Sequence, residues 1–500
     1  MESFDVIIVG FGYAGGVAAI AAHDAGARVL LIEKRNDAGG ISVCSAGGVR
    51  CSDRPVDAFA YLSATNADTT PSDVLAALAE GMREMPEFIG DLAKRAGATM
   101  SIRPAPGNYP FPGHDAFSFI NIDAVPDFDP AADFPSVRGS PAGARLFKTV
   151  LANVEARAID VRYGCAAQRL IIERGKVVGV ETERGIFHAR GGVILTTGGF
   201  EGAADIQAQF WPMRPVLSAA IRTNTGDGMK MAQAAGASLW HMWHYHGSYG
   251  FRHPDGDYPF GVRLKRLPDW LPGASFREDV TMSWILVDRA GRRFMNEYEP
   301  YVQDTGHRAM EPMDFATQSH ARLPALLIVD AKGRSLYPLS APTWHDDEVA
   351  ARYRKASARE MDDAILSSFD SIADLARAFS IEPAILEATI AQWNALVASG
   401  GEDELGRPVK GRASIIEPPF SAAHVWPVVS NTQGGPAHDA RQRVLDAFGQ
   451  PIPGLYEAGE IGSVFGHIYM SGGNLAECFV GGRIAGREAA AQAKMRGIAA

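Results

Sequence analysis

Residues 5–33 read DVIIVGFGYAGGVAAIAAHDAGARVLLIE. Asp5 to Val9 is a short apolar run of the kind buried in a parallel sheet. Gly10, Gly12 and Gly15 follow as GxGxxG, an Ala-rich helical run extends to Ala25, and Arg28 to Ile32 forms a second strand ending at Glu33. The glycines therefore sit inside a complete strand–helix–strand unit, where each has work to do. Gly10 permits a tight turn, Gly12 lets backbone approach a pyrophosphate, Gly15 lets helix and strand pack closely, and Glu33 is placed to hold a ribose hydroxyl. The stretch predicts a dinucleotide-binding Rossmann-like domain.

The residues that follow favour FAD as the dinucleotide. Gly39-Gly40 and Ser45-Ala46-Gly47-Gly48 make a second glycine patch just beyond the ribose acid. A long ribityl-flavin needs such a path past the pyrophosphate. Residues 193–199, VILTTGG, read as a strand ending in small residues, and Thr225-Gly226-Asp227-Gly228 opens a helix in the same manner. The other end of the ligand is expected far away in sequence, at residues 454–486, GLYEAGEIGSVFGHIYMSGGNLAECFVGGRIAG. Gly472 and Gly473 let a flat ligand lie on backbone. The helix expected from Asn474 to Ala490 points its N–H groups and positive dipole end at that ligand. A site with two such ends predicts tightly bound, non-covalent FAD.

Composition narrows the remaining classes. The chain has 500 residues, enough for two or three domains. A net charge of -10 is the wrong sign for a nucleic-acid surface. Cys44, Cys51, Cys165 and Cys478 form no CxxC pair and have no His at zinc spacing, so neither a disulfide framework nor a structural metal is expected. No apolar run has transmembrane length, and the first strand begins by Phe4 without room for a signal peptide. The expectation is a cytoplasmic protein.

Along the chain, Ser72-Asp73 opens a helical run that Pro86 is expected to interrupt. Residues 101–142 are rich in Pro, Gly and aromatics, and Tyr109, His114, Phe117 and Phe119 are candidates for either a pocket wall or inter-domain packing. Val161 to Ile172 and Lys176 to Glu183 predict a hairpin through Arg174-Gly175. Trp240 to His253, WHMWHYHGSYGFRH, gathers four His and five aromatics without a metal-ligand pattern, so packing or an aromatic wall is expected. Residues 272–432 read as an inserted α+β cap between FAD-binding segments at 1–271 and 433–500. Within the cap, Leu386, Ile390, Trp393 and Leu396 form the apolar side of a helix opened by Pro383.

Taken together, these motifs resemble the FAD-dependent family of fumarate reductase flavoproteins, L-aspartate oxidases and 3-ketosteroid dehydrogenases. The resemblance implies a Rossmann-like FAD domain with an inserted cap, and a carboxylate at Glu460 on the cofactor. It also places the adenine end near Cys165 and Ala166. The residues expected on FAD are Gly10, Gly12, Ala14, Gly15, Glu33, Lys34, Gly40, Ser45, Gly47, Gly48, Ala166, Thr197, Gly198, Asp227, Glu460, Asn474 and Leu475.

The resemblance is uneven among branches. A dicarboxylate needs Arg clamps. The fumarate reductase His-Thr-Met-Gly-Gly motif stands here as Asn431-Thr432-Gln433-Gly434-Gly435, and Arg-Leu-Gly-Gly-Asn stands as Met470-Ser471-Gly472-Gly473-Asn474. The segment Tyr298 to Asp304 also lacks that branch's proton-delivering Arg, and Ile41 stands where a flavin-linked His occurs in succinate dehydrogenases. Asn296-Glu297-Tyr298-Glu299-Pro300-Tyr301-Val302 and the loop Tyr469-Met470-Ser471-Gly472 match the ketosteroid dehydrogenase branch better. That match implies that Tyr469 and the Gly473 N–H polarise a ring carbonyl, that Tyr301 takes the neighbouring proton, and that Tyr109 and Ser471 assist. The expected reaction is desaturation of a neutral cyclic ketone, with hydride passing to flavin and on to an external electron acceptor. Enone or acrylate reduction, and an electron-transfer subunit with little substrate chemistry, are the alternatives.

Overall fold

In the computed structural model, the described residues are 2–265, 267, 281–298, 304 and 306–498. Strand β1 (Glu2–Val9), helix α1 (Tyr13–Asp24) and strand β2 (Val29–Ile32) form the opening unit. Ile7, Ile8, Leu30 and Leu31 are fully buried, because helices cover the sheet they belong to. β1 lies in parallel between β2 and Gly185–Leu195, with Val6 opposite Val29 and Ile8 opposite Ile194. Asp160–Arg162 and Pro451–Glu457 extend the parallel sheet on its two sides. Its strands thus come from both ends of the chain, which brings the glycine turn after β1 beside the residues that follow Glu457.

The C-terminal helix Gly473–Ile498 lies against α1 because both faces are small. A Cβ on Gly482 would stand 2.7 Å from the Ala14 carbonyl oxygen, and one on Gly486 would stand 2.4 Å from that of Ala18. Two glycines one turn apart let this helix touch the α1 backbone, and this seats its N-terminus at the cofactor end of α1.

A second, mostly antiparallel sheet is built around Phe420–Thr432, a strand of 13 residues. That strand pairs with Tyr245–Arg252 on one side and Ala325–Val329 on the other. Trp284–Val287 and Gly261–Leu264 extend the sheet outward. Strands from both sides of residue 272 therefore share it. The amphipathic helix Pro383–Ser399 buries Leu386, Ile390 and Trp393 in this layer. Glu297, from the Asn296–Val302 motif, is spent within the layer: it accepts from the Leu286 N–H at 2.9 Å and pairs with Arg293 at 3.1 Å and Arg407 at 3.2 Å.

Three local expectations are corrected. Helix Ser72–Arg95 continues through Pro86. Its buried row (Val74, Leu78, Met82, Met85, Ile89, Leu92) gains more from packing than one lost hydrogen bond costs. The 101–142 stretch is no simple loop: Thr99–Pro104 and Ser118–Ala124 pair antiparallel within it. The hairpin through Arg174-Gly175 consists of Ala167–Glu173 and Lys176–Thr182, whereas Val161 belongs to the strand Asp160–Arg162 beside β2.

Candidate active site

Two connected cavities run from the edge of the first sheet to the second. The first, about 840 Å³, is lined by Gly10, Gly12, Ala14, Glu33, Lys34, Gly40, Ala166, Thr197, Gly198, Asp227 and Glu460 among others. The second, about 1650 Å³ and partly open to solvent, is lined by Ser45, Gly47, Gly48, Glu460, Asn474 and Leu475, and by Tyr469, Ser471, His246 and Arg263. Tyr13, Ile41, Ser42, Glu460 and Cys478 border both. Every residue expected on the cofactor lines one of these spaces except Gly15. That glycine acts by packing: a Cβ there would fall 1.9 Å from the Gly10 carbonyl oxygen.

The first cavity is shaped for a dinucleotide. Gly10 sits at φ +102°, and a Cβ on it would stand 2.5 Å from the Thr196 carbonyl oxygen. The first turn of α1 borders the cavity through Gly12, Tyr13 and Ala14, and of its N–H groups that of Tyr13 is held by the Ser42 hydroxyl at 3.0 Å. Glu33 is buried; its Oε2 accepts from the Phe11 N–H at 2.8 Å and its Oε1 from the Arg35 N–H at 2.9 Å. Each oxygen keeps a lone pair for a ribose hydroxyl. Burial pushes this carboxyl above its ordinary range, and the two amides oppose that push. Lys34 pairs with Asp227 at 2.7 Å, closing one wall. The hydroxyl of Thr197 is buried among the lining residues without a hydrogen-bond partner, as a group awaiting a ligand is.

Between the cavities, Glu460 meets Glu201. Both are buried, and the contact depends on Gly199: a Cβ there would stand 2.6 Å from Glu460 Oε1 and 2.8 Å from Glu201 Oε2. Glu460 Oε1 accepts from the Thr432 N–H at 2.8 Å, and Glu201 Oε1 accepts from Asn224 at 3.1 Å. Burial pushes Glu201 up to about 7, and burial with the facing Glu201 raises Glu460 further. Two buried carboxyls facing one another disfavour double ionisation, which favours the protonated form of the pair. The sequence reading named Glu460 and missed Glu201, which follows the VILTTGG strand at no spacing that marks it.

In the second cavity, Tyr469 stands on the wall with its hydroxyl accepting from the Asn474 N–H at 3.3 Å. Burial pushes the Tyr469 phenol well above its ordinary range, so it stays protonated. Ser471 also lines the space; its N–H is held by Asn108 at 2.9 Å and its carbonyl by Arg50 at 2.6 Å. Phe119 lines the cavity, whereas Phe117 is buried in the core and His114 is exposed.

Two expected roles do not hold as stated. The Gly473 N–H donates to the Met470 carbonyl at 2.7 Å, because the chain turns there into the C-terminal helix. It is therefore not the N–H offered to a substrate carbonyl. Tyr109 does not line the cavity; it lies behind the wall, with its hydroxyl donating to Asp304 Oδ2 at 3.0 Å. Tyr301 lies outside the described residues.

The His-rich stretch divides its labour. His241 and His244 bind backbone, each donating from Nδ1 to a carbonyl, that of Ser463 (2.8 Å) and that of Phe465 (2.7 Å), while His246 reaches the cavity. Its ring lies 4.3 Å from that of Tyr469. The sequence singled out this stretch but had no means of separating one His from the next. Among the described residues, no group of three or more His, Cys, Asp or Glu is arranged to hold a metal ion. No helix among them is long and apolar enough to cross a membrane.

Comparison with known proteins agrees with this geometry. The model of the family described as FAD binding domain matches residues 5–475. The chain is 28% identical over 518 residues to the fumarate reductase (cytochrome) of Shewanella frigidimarina, covering 99% of this chain and 78% of that one. It is 25% identical over 588 residues to the 3-oxosteroid 1-dehydrogenase of Mycobacterium tuberculosis, covering 99% and 100%. Among solved structures, the fold is similar to 3-ketosteroid delta1-dehydrogenase from Sterolibacterium denitrificans, with a TM-score of 0.81 and 23% identity over 98% of this chain and 100% of that one. With the cradle for a dinucleotide, the paired glycine loops and the matching family model all in one site, the chain belongs to the FAD binding domain family and is an FAD-dependent oxidoreductase of the group that holds the fumarate reductases and ketosteroid dehydrogenases.

Proposed function

We propose that this protein desaturates a cyclic ketone, a 3-ketosteroid or a smaller ring ketone, at the bond next to its carbonyl. The observation that carries this reading is the protonated Tyr469 hydroxyl on the cavity wall, at the loop leading into the C-terminal helix. A neutral carbonyl needs one good donor in an otherwise apolar space, and Tyr469 supplies it. The Asn474 N–H fixes the phenol oxygen, so its own proton is left for a substrate. Two positions at which the dicarboxylate branch carries cationic or imidazole groups hold Met470 and Asn431, and Met470 is fully buried.

FAD bound along the two cavities supplies the acceptor for the hydride and its two electrons. The protein holds the carbonyl at Tyr469, lowers the cost of enolate charge on that oxygen, and keeps water from the reacting carbons with Phe119, Leu475 and Ile41. The reaction also needs a proton acceptor beside the carbonyl, a role that the family resemblance offers to Tyr301, and Ser471 is a second donor on the same wall. Ile41 borders both cavities, in keeping with non-covalent FAD.

An anaerobic screen of cyclic ketones and carboxylates for bleaching of the flavin tests the reading. Bleaching by ketones, with none by succinate, is the expected result. The reverse reaction, reduction of an enone or an acrylate, is the second reading, and Arg263 on the cavity wall favours it by offering a cation to an acidic substrate. Turnover with a reduced donor in preference to an artificial oxidant would identify it.

A further inference from the structure

The wall around Tyr469 holds a second group whose arrangement has a chemical meaning. Asp304 is fully buried. Its Oδ2 accepts from the Tyr109 hydroxyl and from the Tyr469 N–H, each at 3.0 Å. Its Oδ1 faces two imidazoles, His244 Nε2 and His246 Nδ1, each at 3.5 Å. These two rings differ in position. His244 gives its Nδ1 to the Phe465 carbonyl and stays behind the wall, whereas the His246 ring borders the cavity and packs on Tyr469.

At 3.5 Å the contact is electrostatic and not a hydrogen bond, and the carboxylate charge favours the His246 tautomer that carries its proton on Nδ1. Nε2 is then the basic nitrogen, on the ring that borders the cavity. Two hydrogen bonds already fix Asp304, so it orients His246 and stabilises the imidazolium that a proton transfer would create.

We propose that His246, oriented by Asp304, takes and returns the proton at the carbon next to the substrate carbonyl. The inference rests on the reading that Tyr469 holds a carbonyl in the same cavity. In the step, the α C–H bond breaks and an N–H bond forms at His246 Nε2. The electron pair stays on the substrate as an enolate whose oxygen is held by the Tyr469 hydroxyl. Proton, charge and electrons balance without any other reactant, so the step can be read apart from hydride transfer.

Among the described residues, the groups that bear on His246 include Asp304, His244, Tyr469 and, from the neighbouring strand, Arg263. Burial lowers its basicity below that of an ordinary histidine, and Asp304 opposes this. Exchange should therefore rise with pH through a limb below about 6.5 and then level off, since the neutral ring is the base. In Asp304→Asn the opposing charge is gone, so the limb should move further to acid.

The test uses the FAD-loaded protein with its flavin reduced by dithionite and saturated ketones as probes, so that neither flavin nor substrate can accept a hydride. Deuterium uptake from D2O into the α position is followed by NMR for cyclohexanone and for 5α-androstane-3,17-dione. His246→Gln is expected to cut protein-dependent exchange about a hundredfold or more with FAD content kept. Asp304→Asn should cut it less and shift the limb, which a merely structural role would not do. Unchanged exchange in His246→Gln overturns the proposal.

A second measurement needs neither variant nor substrate. Imidazole 15N shifts of the wild-type holoprotein should show the His246 proton on Nδ1, and a proton on Nε2 overturns the proposal. If neither ketone exchanges in the wild type although the Nδ1 tautomer is present, it is the ketone reading of the site that falls, and the Asp304–His246 pair stands.

Discussion

Tyr469 and Asp304 are joined through the backbone: the Tyr469 N–H donates to Asp304 Oδ2 at 3.0 Å, across 165 residues of sequence. The phenol of the same residue receives the Asn474 N–H. The substrate-facing tyrosine is therefore held at both ends, once by a buried carboxylate and once by the first turn of the C-terminal helix. A donor fixed this way costs no reorganisation when charge develops on a carbonyl.

Tyr469→Phe tests that role directly. It removes one hydroxyl and keeps the ring against His246 and Phe465. FAD content and Tm should stay near wild type. Flavin reduction by a ketone substrate, followed by anaerobic stopped flow, should fall about a hundredfold or more. A near wild-type rate would sink the ketone assignment.

The cofactor prediction concerns attachment and the Gly10 turn. Acid precipitation should release the yellow colour into the supernatant. Gly10→Ala should abolish FAD binding, because its Cβ would stand 2.5 Å from a backbone oxygen at φ +102°. The backbone strain alone costs about 1–3 kcal/mol. A Gly10→Ala protein with full flavin content would contradict the assigned phosphate turn.

The carboxyl pair gives a pH prediction with a definite sign. Burial raises Glu201 to about 7, above its ordinary 4.5. The folded state then binds the proton more tightly than the unfolded chain does. The stability of the apo-protein should therefore fall as pH rises from about 4.5 to about 7, by a few kcal/mol at most from this group. Glu201→Gln should flatten the Tm-versus-pH curve across that window. An unchanged slope would show that no proton is shared there.

Charge selectivity supplies the last test. Fumarate and succinate should not turn over with a reduced or oxidised dye. Among the described residues, Arg263 is the one cation lining the cavity, and a two-ended acid needs a clamp at each carboxylate. Appreciable fumarate reduction would overturn the ketone reading and favour the reductase alternative.

The cofactor site was legible in the sequence because its parts are local. A turn that only glycine can make, a helix start and a ribose acid recur at fixed spacing, and Gly10, Gly12 and Glu33 announce themselves within 29 residues. The same locality identified Gly47-Gly48 and the loop before Asn474. Where long-range packing outweighs local preference, sequence reading went astray: Pro86 stays helical because one whole face of its helix is buried, and the Gly473 N–H is consumed by a turn. The acid–base groups depended on tertiary structure altogether. Glu201 meets Glu460 because Gly199 leaves them room. His246 is set apart from His241 and His244 because strand pairing turns its ring to the cavity wall, where Asp304 meets it from a segment 58 residues away. Spacing along a chain encodes what backbone geometry repeats. Which buried carboxyl faces which imidazole is decided when distant segments pack, and only then does a desolvated charge acquire its partner.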